Sequence, residues 1–207
     1  YLNLICMTLV LNSDVPESYN GYHVAILDTD EINAFATPGG HVLVTKGLLS
    51  CTDSEDALAG VIAHELGHIQ LKHGIGAIKA NRITAAAVES SATMAVGSEK
   101  KAELKFLEDA SKEIVTTLVN SGYSKSQEYD ADRFAVKLMA RAGYDPNAMT
   151  EMLKIMSEKQ KNDNRGFGKT HPSAVSRIKS VEKESKKLAG DYNRSARLNR
   201  YQKNKLK

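Results

Sequence analysis

His64-Glu65-Leu66-Gly67-His68, in the middle of a 207-residue chain, is the stretch on which the reading of the fold turns. On an α-helix, positions i and i+4 lie one above the other on one face. Two imidazoles so placed can grip one zinc ion, with Glu65 beside any water the ion binds. The five letters leave a plainer alternative, a helix with two ordinary, partly buried histidines. Both readings need a helix, and the flanks supply one. Thr52 and Glu55 have capping-box spacing, and Asp53 and Asp56 favour a helix N-terminus. Leu58, Val61, Ile62, Leu66 and Ile69 recur at spacings of three and four, which predicts one apolar face against a core. Lys72, His73 and then Gly74 form a stop signal. The pattern predicts a half-buried helix over residues 52–73.

A catalytic zinc needs a third protein ligand and an open position for water. His73 follows His68 by five, an offset that turns it away, so it is expected to be a solvated C-terminal histidine. Cys51 at the helix start lies roughly 20 Å along the axis from His64, too far to ligate. The better candidate is in Ser124-Lys125-Ser126-Gln127-Glu128-Tyr129-Asp130-Ala131-Asp132. Ser124 and Gln127 again have capping-box spacing, and Phe134, Ala135, Leu138 and Met139 continue an apolar face up to Gly143. Glu128 and Asp132 are one turn apart, so Glu128 can bind metal while Asp132 orients a ligating histidine. The competing reading is an acidic helix start that only compensates the dipole.

His-Glu-x-x-His followed at a distance by Glu-x-x-x-Asp resembles the gluzincin zinc peptidases of the HtpX, BepA and CAAX prenyl protease type. Three more segments carry the likeness. Asn33-Ala34-Phe35-Ala36-Thr37-Pro38-Gly39-Gly40-His41-Val42-Leu43-Val44-Thr45-Lys46-Gly47-Leu48-Leu49 is similar to the stretch upstream of that family's zinc helix. Leu58-Ala59-Gly60-Val61-Ile62-Ala63 is similar to the lead into the motif, and Thr170-His171-Pro172-Ser173 with Arg177 and Ile178 to a late His-Pro element. The resemblance implies an α+β fold, mostly helical and zincin-like, with a small β-sheet whose edge strand borders the active-site cleft. It implies one Zn2+ per chain on His64, His68 and Glu128, with Asp132 behind them and Glu65 as general base. It makes His171 and Arg177 the best oxyanion donors, with Tyr129 weaker. Two other roles for His171 stay open, a reversible fourth ligand that keeps the site latent and a cap on the last helix. The strand His41–Thr45 is expected as an exposed edge that pairs with substrate backbone, so Asn33, Gly39, Gly40, His41, Val42, Leu43 and Val44 are candidate substrate-binding residues. An internal strand with a glycine turn is the alternative.

A hydrophobic content of 42% in 207 residues suffices for a real core, and residues 1–190 are expected as a single domain. No apolar run approaches the roughly 18 residues needed to cross a bilayer. Residues 74–121 include Lys79, Arg82, Glu89, Glu99, Lys100, Lys101 and Glu103 and are expected as helix outside any membrane, with a loop near Gly97-Ser98. No signal peptide is visible, and Tyr1 suggests a mature or trimmed fragment. Residues 1–11 read as a helix turning Leu2, Ile5, Leu9 and Val10 inward, and residues 22–27 as a strand. Asp145-Pro146 starts a helix with Met149, Met152, Leu153 and Met156 as core rather than ligands. Residues 162–169 read as a mobile loop and 172–188 as a last helix.

From Lys183 to Lys207 there are nine Lys/Arg against two acids, +7 in a chain of net +3, so the remainder carries about −4. With no phosphate-binding motif, residues 191–207 are expected as a solvated, partly disordered basic tail and not a nucleic-acid arm. Cys6 and Cys51 are too few for a disulfide framework and are expected as buried free thiols, with pairing in an oxidising compartment as the alternative. The expected partner is a peptide or unfolded protein, cleaved through metal-activated water in the periplasm or cell envelope; a lipid anchor outside the chain is compatible with this. The alternative is a metal-bound chaperone or adaptor that holds unfolded clients and seldom cuts.

Overall fold

A computed structural model describes residues 1–18, 20–79, 122–160, 170–171, 174–188 and 190–205. The expectations for residues 80–121 and 162–169 lie outside these. Among the described residues the labelled elements are, in order, α1 (Leu2–Leu11), β1 (His23–Leu27), β2 (Ala34–Ala36), β3 (His41–Thr45), α2 (Lys46–Cys51), α3 (Glu55–Gln70), α4 (Lys125–Arg141), α5 (Asn147–Gln160), α6 (Ala174–Lys187) and α7 (Arg194–Asn204). None of these helices is long and apolar enough to cross a membrane. A predominantly helical body with one small sheet is the α+β, zincin-like architecture that the sequence implied.

The helix carrying His64 and His68 is the hub. It packs against α1, α4, α5, α7 and strands β2 and β3, so Leu58, Ile62 and Leu66 are all buried. Its true N-cap is Ser54, whose hydroxyl accepts from the Ala57 amide. Thr52 is not the cap because its hydroxyl donates to the Leu49 carbonyl and meets Tyr201 Oη at 2.8 Å. It instead ends α2, a short helix capped by Thr45 that the residue pattern did not announce. Gly67 sets how closely α4 approaches, since a Cβ there would lie 3.2 Å from the Ala131 backbone. That contact brings the His64/His68 face of α3 against the Glu128/Asp132 face of α4. α4 begins with the Ser124/Gln127 capping box that the spacing predicts.

α1 buries Ile5, Cys6, Leu9 and Val10, and α5 places Met149, Met152, Leu153 and Met156 in the core. Cys6 and Cys51 are both free.

Sheet order is β1-β3-β2, with β1 parallel and β2 antiparallel to β3. His41–Thr45 is therefore the central strand, paired on both sides, and offers substrate no free edge. Its alternation puts Val42 and Val44 in the core. Gly40, at φ +94°, serves the turn: a Cβ there would lie 2.4 Å from the Gly21 carbonyl oxygen. The edge strand beside the α3–α4 pair is β2.

Residues 194–204, expected within a disordered tail, form α7 against the start of α3. Arg197 Nε donates to Asp56 Oδ2 at 2.9 Å, Arg200 Nε to Glu55 Oε2 at 2.7 Å, and Tyr201 Oη to the Thr52 carbonyl at 2.7 Å. Part of the positive charge at the chain end is thus the counter-charge of two buried acids.

Candidate metal centre

α3 presents His64, Glu65 and His68, α4 presents Glu128 and Asp132, and the segment ahead of α6 brings in His171. One ligand-capable atom from each of His64, His68, Glu128 and His171 falls within 4.8 Å of all the others. His64 Nε2 and His68 Nε2 are 3.1 Å apart, and His68 Nε2 is 3.3 Å from Glu128 Oε1. His171 Nδ1 stands 2.9 Å from Glu128 Oε1 and 3.3 Å from His64 Nε2. The other face of His64 is backed by Asp132, whose Oδ1 lies 3.0 Å from Nδ1. All of these residues, Glu65 included, are at most 1% exposed.

The donor set suits zinc, which takes imidazole nitrogen and carboxylate oxygen in a compact group. Glu65 adds an independent sign. Both of its carboxylate oxygens are buried without a hydrogen bond among the described residues, an arrangement that is costly unless function demands it. Oε1 lies 3.4 Å from His171 Nε2. Burial raises the Glu65 carboxyl above its ordinary value, opposed by His171 and His64. Burial would raise Glu128 too, but His171 and Arg177 outweigh it and hold that carboxyl well below the usual range. Burial pushes His68 well below its ordinary value. For His64, burial and Arg177 oppose protonation, yet Asp132 and Glu128 prevail and lift it to about 9. Burial thus prevails at Glu65 and the cationic neighbours prevail at Glu128, so the two buried carboxyls shift in opposite directions.

Arg177, expected as an oxyanion donor, is 1% exposed and engaged elsewhere. Its Nε and Nη2 donate to the two Asp132 oxygens at 2.7 and 2.6 Å, and Nη1 stands 2.5 Å from Glu128 Oε2. The guanidinium therefore ties the Glu128 carboxylate to the one behind His64. Tyr129 is outside the cluster, its hydroxyl donating to the Ser176 carbonyl. Asn33 is buried, and its Oδ1 accepts from Thr170 Oγ1 at 3.1 Å, which tethers the residue before His171 to the start of β2. His171 Nε2 is 3.3 Å from the Ala34 carbonyl oxygen. Its ring is thus part of the cluster.

Two neighbours of His68 escaped the sequence reading. Tyr123 stacks on its ring, with centroids 3.8 Å apart and planes 16° from parallel. The available signal was its position directly before the Ser124 cap. His73 was expected in solvent but is buried, with Nδ1 3.0 Å from His68 Nδ1. The offset of five misled because α3 ends at Gln70 and Lys72 turns left-handed, at φ 59°, folding His73 back.

Fold and site together define a zincin-type metallopeptidase domain. Residues 2–185 match the model of peptidase family M48, and the chain belongs to that family. It is 33% identical over 156 residues to the mitochondrial metalloendopeptidase OMA1 of Schizosaccharomyces pombe, covering 72% of this chain and 42% of that protein. It is 27% identical over 189 residues to the beta-barrel assembly-enhancing protease of Escherichia coli K12, covering 86% and 37%. Metalloprotease LoiP of the same organism is 30% identical over 156 residues, covering 73% and 58%. The chain thus spans less than two thirds of the length of each of these relatives.

Proposed function

We propose that this chain is a zinc endopeptidase domain that cleaves extended, unfolded or misassembled polypeptide, with one zinc ion held by His64, His68 and Glu128. The observation that carries this reading is the meeting of those three side chains beside the buried Glu65 carboxylate, which accepts no hydrogen bond among the described residues. When bound, zinc supplies Lewis acidity that brings the pKa of a water toward neutrality and polarises the scissile carbonyl. Glu65 takes the proton of the attacking water on a carboxylate oxygen and passes it to the leaving amine; a carboxyl raised by burial suits both transfers. Asp132 accepts from His64 Nδ1, and Arg177 holds Asp132 and Glu128 in register, a positioning role in place of the oxyanion contact. In the resting site His171 would also hold the ion, which would keep the site latent until substrate binds.

Substrate runs along β2 and not β3. β2 is an edge of the sheet next to the cluster, and main-chain pairing there carries little sequence information. The relatives named for β-barrel assembly favour a periplasmic or cell-envelope setting.

The test is metal content together with casein cleavage, with and without a chelator. One zinc per chain and cleavage abolished by chelation and restored by zinc are expected. Chelator-resistant cleavage would refute the metal mechanism. A zinc-loaded protein that binds unfolded casein without cutting it would favour the holding adaptor instead.

A further inference from the structure

We infer that His73 is a positioning residue for the zinc site: its Nδ1 accepts the proton-bearing Nδ1 of His68 and fixes that ligand's tautomer and ring angle. The inference rests on the metallopeptidase reading above. His68 turns Nε2 toward the cluster, 3.1 Å from His64 Nε2 and 3.3 Å from Glu128 Oε1. A neutral imidazole that gives Nε2 to a metal carries its proton on Nδ1. That N–H points into a buried region where the hydrogen-bond partner among the described residues is His73 Nδ1, at 3.0 Å. His73 must therefore present a lone pair at Nδ1 and keep its own proton on Nε2. The two ring planes are 70° apart, and Tyr123 stacked on the face of His68 restrains the remaining rotation.

The two ligand histidines are thus held by different acceptors. His64 leans on the Asp132 carboxylate at 3.0 Å, His68 on a neutral imidazole. A carboxylate acceptor makes its histidine the more basic donor, and an imidazole acceptor orients without adding charge. The left-handed Lys72, φ 59°, is the turn that makes the second arrangement possible.

The experiment compares zinc affinity, by competition with a chromophoric chelator, in wild type, His73→Leu and His73→Asn. Leucine removes the acceptor; asparagine keeps a carbonyl oxygen near the place of Nδ1. His73→Leu should lose about 10- to 100-fold in affinity, and His73→Asn should recover most of it. The d–d absorption of the cobalt-substituted protein should shift in the leucine variant and return toward wild type in the asparagine variant. Equal affinity in His73→Leu and wild type, or no rescue by asparagine, would overturn the assignment. If the leucine variant does not fold, imidazole 15N–1H correlation spectra of zinc-loaded wild type decide: a proton on His73 Nδ1 overturns it, a proton on His68 Nδ1 paired with His73 sustains it. Wild type that binds no zinc would sink the metallopeptidase reading itself, a result separable from normal zinc binding with an indifferent His73.

Discussion

Asp132 stands behind His64, with Oδ1 3.0 Å from Nδ1, on the side of the ring away from the other candidate ligands. The relationship puts a negative charge where a zinc-binding imidazole carries its proton. Burial would raise the Asp132 carboxyl, but Arg177 outweighs it and keeps the group ionised, below its usual range. Asp132→Asn removes that charge while keeping the shape. Zinc affinity should fall by about 10- to 100-fold, read by chelator competition. Unchanged affinity would mean that His64 needs no charged partner.

Glu65→Gln separates holding the metal from using it. The carboxylate has no other hydrogen-bonding duty among the described residues, so the amide should leave fold and zinc content intact. Casein cleavage should drop by at least about 100-fold, the usual scale for a lost general base. An active Glu65→Gln protein, assayed with zinc content confirmed by atomic absorption, would remove Glu65 from the mechanism.

His171 sits among the candidate ligands, 2.9 Å from Glu128 Oε1 and 3.3 Å from His64 Nε2. A fourth protein ligand closes the position that a catalytic zinc keeps for water. We therefore expect His171→Ala to raise the initial rate of peptide cleavage while zinc stays bound. A large fall in kcat with unchanged KM would instead make His171 a donor to the transition state.

How much of this was legible beforehand depended on how local each signal was. The α3 and α4 faces follow from helical periodicity and caps, whereas the joining of Glu128 to His64 and His68 was implied by the family resemblance. The Ser124 capping box is a contact between near neighbours, and it forms as the spacing predicts. What failed was non-local. Sheet order decides whether His41–Thr45 is central or edge, and no residue within that strand encodes where Ala34–Ala36 will pair. Thr52 lost its capping role to Ser54 because it ends α2, its hydroxyl donating to the Leu49 carbonyl while Tyr201, 149 positions away, donates to the Thr52 carbonyl. Arg177 was given a substrate role because the acids that bind it lie on another helix. His73 was misplaced for a different reason, since periodicity was extended past the point where Lys72 leaves the helical region.

The two cysteines offer a check of burial that does not involve the metal. Burial pushes the Cys6 thiol up to about 11 from an ordinary 9.0, whereas Cys51 is partly exposed. With Ellman's reagent at pH 8, one thiol should react promptly in the native protein and the second only after denaturation. The folded pKa lies above the unfolded one, so the Cys6 contribution to stability is complete below about pH 9 and is lost as pH rises toward 11. Two fast thiols in the native state would show that α1 does not cover Cys6.

The last expectation concerns α7, which lies beyond the residues matched by the family model. Asp56 is 1% exposed; it accepts from the Asp145 amide at 2.8 Å and from Arg197 Nε at 2.9 Å. Breaking a buried pair by removing one partner typically costs about 3–5 kcal/mol. The Arg197 side chain is 13% exposed, and the Asp145 amide remains after substitution, so Arg197→Met should cost less, about 2–3 kcal/mol. Urea denaturation should show the midpoint falling with little change in slope. Asp56→Asn in the same protein should recover part of the loss, because it removes the charge left unpaired. If Arg197→Met is as stable as wild type, the basic segment is a surface feature and not part of what holds the zinc helix in place.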